Sequence, residues 1–157
     1  MRKIRILAIG GLKEKFFADA QKEYLKRMSR FADITVTELK EAPLPADPSQ
    51  KEIEVALEKE AGDILARLRP GEKVVALAVE GGQMTSPEFS AVPDDSAGRP
   101  VTFIIGSSYG LSPRVKAAAD LRLSLSELTF PHQLARVMLL EQIYRAFKIR
   151  RGETYHK

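Results

Sequence analysis

An α/β fold with a mostly parallel sheet flanked by helices is what this sequence predicts, and three observations carry the expectation. Segments of strand periodicity alternate with segments of helical periodicity along the whole chain. Two apolar runs, KVVALAV at Lys73–Val79 and VTFII at Val101–Ile105, are nearly continuous, as in strands covered on both faces. Glycine-marked loops follow the strands at Gly10-Gly11, Gly81-Gly82 and Gly106–Gly110, and strand-end loops are where open α/β sheets bind ligands.

Each element has a local reason. Arg2–Ile9 alternates around Ile4 and Ile6 and meets a glycine turn, which predicts the first strand. Lys13–Arg30 is rich in helix formers, with Phe16, Phe17, Ala20, Tyr24 and Met28 near one face. Asp33–Leu39 alternates again, with β-branched Ile34 and Val36. Three prolines make Ala42–Pro48 a loop; Ser49 with Glu52 then forms a capping box opening a helix to about Leu68, stopped by Pro70-Gly71. Beyond the two buried strands, Ser112 and Pro113 open a short helix to Asp120, and Leu121–Leu125 is a short strand. Pro131–Ile149 spaces Leu134, Val137, Met138, Leu140, Ile143, Tyr144 and Phe147 as a long helix. Ser86–Pro100 holds three prolines and a glycine where a crossover helix belongs, so a single turn at most and a loosely ordered connection are expected.

Residues 1–157 read as one domain with one core. The absence of Cys excludes disulfides, thiolate metal ligands and a Cys nucleophile, and having only His132 and His156 argues against a histidine-built metal site. No apolar run approaches the roughly 18 residues of a membrane span. Met1–Gly10 alternates like a strand and lacks a cleavage signal, so a cytoplasmic protein is expected. The formal net charge of +4 has one source. Arg145–Lys157 holds five Lys or Arg and one acid, while the rest of the chain balances 20 against 20. Such a patch suits a polyanion, RNA first, although a solvated basic terminus has the same composition.

Three loops, at Glu80–Gly82, Gly106–Gly110 and Leu125–Phe130, converge on one sheet edge in this reading, which raises a pocket above three plain turns. The Gly10-Gly11 turn with Glu38 could serve a dinucleotide, but Gly10-Gly11-Leu12-Lys13-Glu14 lacks the third glycine, and an oxidoreductase is the weakest reading. His132 opens the last helix as a hydrogen-bonding residue. Arg136 and Arg145, nine residues apart, cannot share a helix face, and Arg145 lies nearer the basic tail. Tyr155 beside Arg150 and Arg151 either stacks a base or frays in solvent.

These segments carry a family resemblance. Ile4–Phe16 (IRILAIGGLKEKF), Phe103–Ser112 (FIIGSSYGLS) and Leu125–Lys157 (LSELTFPHQLARVMLLEQIYRAFKIRRGETYHK) closely resemble the ribosomal RNA large subunit methyltransferase H family of the SPOUT class. The resemblance covers nearly the whole chain. It implies an α/β knot fold with a C-terminal trefoil knot, a homodimer, and S-adenosylmethionine as cofactor. It further implies methylation of N3 of a pseudouridine in 23S rRNA within the assembled ribosome, with no metal and no membrane. By the same resemblance Leu77, Gly106, Leu125, Ser126, Glu127, Leu128, Thr129 and Phe130 bind the cofactor. His132, Arg145, Tyr155 and His156 face the substrate, with one subunit's tail reaching the other's cofactor, and Arg150 and Arg151 hold RNA phosphate. Two places depart from the family pattern. Ser107 stands where a second glycine is usual, and Ser86–Pro100 is short and proline-rich. A SPOUT-fold protein that binds RNA or the ribosome without methyl transfer is the alternative, with Ser107 as its lesion.

Overall fold

The computed structural model describes residues 1–157. The strands are β1 (Arg2–Ile9), β2 (Ala32–Leu39), β3 (Lys73–Gly82), β4 (Val101–Ile105) and β5 (Leu121–Leu123). They form one all-parallel sheet in the order β2-β1-β4-β3-β5. Between them run α1 (Lys15–Met28), α2 (Gln50–Arg67), the one-turn α3 (Ser86–Phe89), α4 (Pro113–Ala118) and, last, α5 (His132–Arg150).

The two-residue period of the strands sorts the core into two layers. Ile4, Ile6 and Ala8 of β1 share one cluster with Val101, Phe103 and Ile105 of β4, beneath α1, α3 and α5. Leu7, Ile9 and Ile104 point the other way and pack with Ala61 and Ile64 of α2 and Val115 of α4. Both faces are therefore covered, which is why β4 is buried along its full length. Ile6, Phe103, Leu139, Leu140 and Ile143 each expose 1% or less, and each such burial stabilises the fold by about 1.5–3 kcal/mol.

Three sequence expectations change. Phe16 is 64% exposed, because α1 meets the core through its later turns, at Tyr24, Leu25 and Met28. β3 runs on to Gly82, but its pairing with β5 shifts at Leu123, which meets both Leu77 and Gly82. The residues between bulge outward, so Val79 is 76% exposed rather than covered. Gly81 returns the bulge so close to β5 that a Cβ there would stand 2.6 Å from the Arg122 carbonyl oxygen. The Ser86–Pro100 segment is short, as expected, but it is packed and not loose. Thr85 and Glu88 form a capping box, Phe89 and Val92 enter the core, and Asp95 hydrogen-bonds Arg99 through both carboxylate oxygens.

β4 and β5 lie on opposite sides of β3, so the α4 connection crosses the sheet there. The loops after β4 and β5 consequently meet above the end of β3.

Candidate functional site

A pocket of about 630 Å³ occupies that meeting point. Its floor is Leu77–Glu80 of β3, one wall is the Ile105–Leu111 loop, and the other runs from Leu123 to His132 and Ala135, with Glu127 turned out. The Gly10-Gly11 turn contributes nothing to it.

Ser107, Ser124 and Ser126 spend their hydroxyls on the backbone of their own loops. The Ser107 hydroxyl accepts from the Tyr109 N–H at 3.3 Å, and the Gly110 N–H donates to the Ser107 carbonyl at 2.9 Å. Gly110, at φ +86°, supplies the left-handed step that closes this turn. Gly106 lies under it, and a Cβ there would stand 2.3 Å from the Gly110 carbonyl oxygen. Across the pocket, the Ser124 N–H donates to the Gly82 carbonyl at 2.9 Å, and the Leu128 N–H to the Ser126 hydroxyl at 3.0 Å. The only opposed charges in the lining, Glu80 and Lys116, pair with each other, and that hydrogen bond holds the Glu80 carboxyl below its ordinary range.

What remains is a mostly uncharged cleft walled by Leu77, Leu111, Leu125, Leu128 and Phe130 and edged by loop backbone. Its size falls within the range of small-molecule sites, and apolar walls with backbone donors and acceptors suit a nucleoside-sized ligand. S-adenosylmethionine fits this donor set: apolar side chains can enclose an adenine while loop peptides read its edge. No Cys, His pair or carboxylate pair in the lining offers a nucleophile or metal ligands of the protein's own, and no metal-ligating cluster occurs elsewhere.

Of the residues singled out in the sequence, Leu77, Gly106, Leu125, Ser126, Leu128, Thr129, Phe130 and His132 line this pocket, and Glu127 is exposed beside it. Arg145, Tyr155 and His156 lie apart, beyond the middle of α5 and about 20 Å along the helix from His132. Gly152 at φ +66° ends α5, with the Glu153 N–H donating back to the Lys148 carbonyl at 3.0 Å, and turns the tail along the helix. Tyr155 then packs edge-on against Tyr144, with the Arg145 guanidinium 4.7 Å above its ring. Arg145 Nε donates to Glu141 at 2.9 Å, the Tyr155 hydroxyl donates to the other Glu141 oxygen at 3.2 Å, and Arg145 Nη1 donates to His156 Nδ1 at 3.1 Å. The tail is therefore held, not frayed. Its bond to Glu141 raises the Arg145 pKa, and burial raises that of the Tyr155 phenol. Arg150 and Arg151 sit at the opposite end of the sheet from the pocket, beside Asp94 and Phe31.

Two roles in this architecture escaped the sequence reading. Glu141 organises the terminal cluster, and its spacing of four from Arg145 was a usable signal. Arg136, 1% exposed, donates to Glu38 at 2.7 Å and to the Gly10 carbonyl at 2.9 Å. It ties α5 to the ends of β1 and β2, and it engages the carboxylate that a ribose would have needed.

Comparison with known proteins places this geometry. Residues 2–156 match the family described as "Predicted SPOUT methyltransferase". Full-length relatives include proteins named ribosomal RNA large subunit methyltransferase H from Ruminiclostridium cellulolyticum, 48% identical over 99% of both chains, and Pelotomaculum thermopropionicum, 47% identical over 98% of both. Among solved structures, a probable methylase family protein from Haemophilus influenzae matches 99% of this chain and 71% of its own, with a TM-score of 0.57 at 13% identity. A probable methyltransferase from Bordetella pertussis matches 92% and 94%, with a TM-score of 0.54 at 14% identity. At those identities the structures speak to the fold, and the sequence relatives to the family. The chain belongs to the SPOUT methyltransferases, within the ribosomal RNA large subunit methyltransferase H family.

Proposed function

We propose that this protein is an S-adenosylmethionine-dependent methyltransferase of 23S rRNA, acting on N3 of a pseudouridine in the assembled ribosome. It works in the cytoplasm as a homodimer of single-domain subunits, each tied in a C-terminal trefoil knot. The observation that carries the reading is the pocket formed where the Gly106–Leu111 and Leu123–His132 loops meet over β3.

In this reading Leu77, Gly106 and the Leu125–Phe130 loop hold the cofactor, largely through apolar contact and loop backbone. When bound, S-adenosylmethionine supplies a sulfonium methyl group to a nitrogen nucleophile. The N3 proton must leave the base for that nitrogen to react, and His132 or His156 accepts it while Arg145 stabilises the resulting anion. His132 and Arg145 are too far apart in one chain to share a base, which favours a second copy supplying Arg145, Tyr155 and His156. Arg150 and Arg151 contact phosphate. Much of the acceleration comes from holding base and donor in register.

Ser107 does not obstruct this chemistry. Its hydroxyl turns into its own loop, and its φ is not positive, so the added Cβ is accommodated without strain. That geometry argues against an RNA-binding protein with a disabled pocket. Titration calorimetry with S-adenosylmethionine separates the two: the methyltransferase binds it saturably, whereas absence of binding would leave only the RNA-binding reading.

A further inference from the structure

The basic tail does not stand alone at the far end of the sheet. α5 runs antiparallel to the strands, so Arg150 and Arg151 come to rest beside the start of β1. Arg2 and Arg150 share one carboxylate, Asp94, at 2.5 and 3.5 Å. Arg30 and Lys148 share another, Glu153, at 2.7 and 3.5 Å. Each acid thus neutralises one of two cations and leaves the other charge uncompensated. Lys3 adds a further exposed cation, with Asp33 opposite it on β2.

Two guanidiniums lie against the ring of Phe31, Arg30 at 4.0 Å and Arg151 at 4.9 Å, which orders both heads at the surface. Beside them opens a second cavity, of about 480 Å³, lined by Arg2, Lys3, Arg151, Phe147 and the Gly98 and Pro100 backbone. Six cations thus face three carboxylates across one corner. β1 spans eight residues, so this corner lies about 25 Å from the pocket of its own subunit.

We infer that this corner is an RNA-binding face, on which Arg2, Lys3 and Arg30 join Arg150 and Arg151 on rRNA phosphates. The inference rests on the rRNA reading above and adds to it where the ribosome is gripped. Guanidiniums prearranged by shared carboxylates and an aromatic ring lose little side-chain freedom on meeting phosphate. The face reads no sequence; it positions the enzyme.

The test uses the full-length protein with Lys3→Gln and Arg30→Gln combined, both exposed residues outside the pocket and the terminal cluster. Binding to ribosomes is measured across a potassium chloride series, with S-adenosylmethionine affinity and thermal melting alongside. Loss of two phosphate contacts is expected to make the slope of log affinity against log salt shallower by about 1.4–1.8. S-adenosylmethionine affinity stays unchanged, and Lys51→Gln with Lys59→Gln on α2 leaves the slope unchanged. An unaltered slope in the Lys3/Arg30 variant, or an equal change in the α2 variant, overturns the inference while leaving the methyltransferase reading intact. If the wild-type protein fails to bind ribosomes at any salt, the rRNA reading fails and this inference with it.

Discussion

Gly106→Ala is the sharpest perturbation of the pocket. The new methyl would stand 2.3 Å from the Gly110 carbonyl oxygen, 2.6 Å from its carbon and 3.0 Å from Leu111 Cδ2. Ordinary contact begins about 1 Å further out, so the turn must retreat by about that much. The obstacle is backbone closed by its own hydrogen bond, not the end of a flexible side chain. Overpacking of this kind costs about 1–3 kcal/mol. For a chain of this size that lowers the melting temperature by about 2–12 °C. The larger effect is on function, since the displaced turn is a wall of the pocket, and misplacement by about 1 Å costs on the order of 100-fold in transfer rate. A methyl-transfer assay, with S-adenosylmethionine calorimetry beside it, reads the functional effect and a thermal melt the other. Gly82→Ala is the control: no atom lies within 4 Å of the place its new methyl would take, so both readouts stay near wild type. If Gly106→Ala bound the cofactor as the parent does and melted with it, the pocket would be wrongly built.

Three further outcomes are expected. In the Arg136–Glu38 pair the side chains are 2% and 47% exposed, so the partners are not equivalent. Glu38→Ala removes the counter-charge of a buried guanidinium that keeps Gly10 and Gln21 as acceptors and should cost about 1.5–3 kcal/mol in urea unfolding, whereas Arg136→Met leaves a carboxylate that water can reach and should cost less; the reverse order would refute the clamp. The Arg99 guanidinium holds the Asp95 carboxyl down to about 2, so its contribution to stability is complete above its ordinary pKa and is lost as pH falls through about 2. Asp95→Asn should therefore flatten the acid-unfolding curve between about pH 4 and 2, and an unchanged curve would remove that assignment. Gly152→Ala places a Cβ on a φ of +66°, costs about 1–2 kcal/mol, and should release the tail: methyl transfer falls while S-adenosylmethionine binding by the pocket stays intact.

The strands and helices were legible because their signals are local. Alternation in β1, the apolar runs of β4 and of β3 as far as Ala78, and the Ser49–Glu52 capping box each act within a few residues, and the structure realises them. Two of the three expected pocket loops followed from placing loops at strand ends, whereas Glu80–Gly82 belongs to β3 and gives the lining only Glu80. What could not be read was long-range. Arg136 and Glu38 are 98 positions apart, and Asp94 gathers Arg2 and Arg150 from the two ends of the chain. Phe16 misled because helical spacing marks a face without saying how far along the helix its partner extends. The outward bulge at Val79 depends on β5, a three-residue strand that pairs with β3 across more than 40 positions. Charge in the tail was visible, whereas its distribution between the Glu141 cluster and the Asp94 corner required the fold.

Ribosomes lacking the modification, incubated with this protein and S-adenosylmethionine labelled in the methyl group, test the central claim most directly. The account requires label in 23S rRNA, on N3 of a single pseudouridine after nuclease mapping, and its loss in Gly106→Ala. Absence of label on ribosomes that bind the protein, or label on another atom, would contradict it.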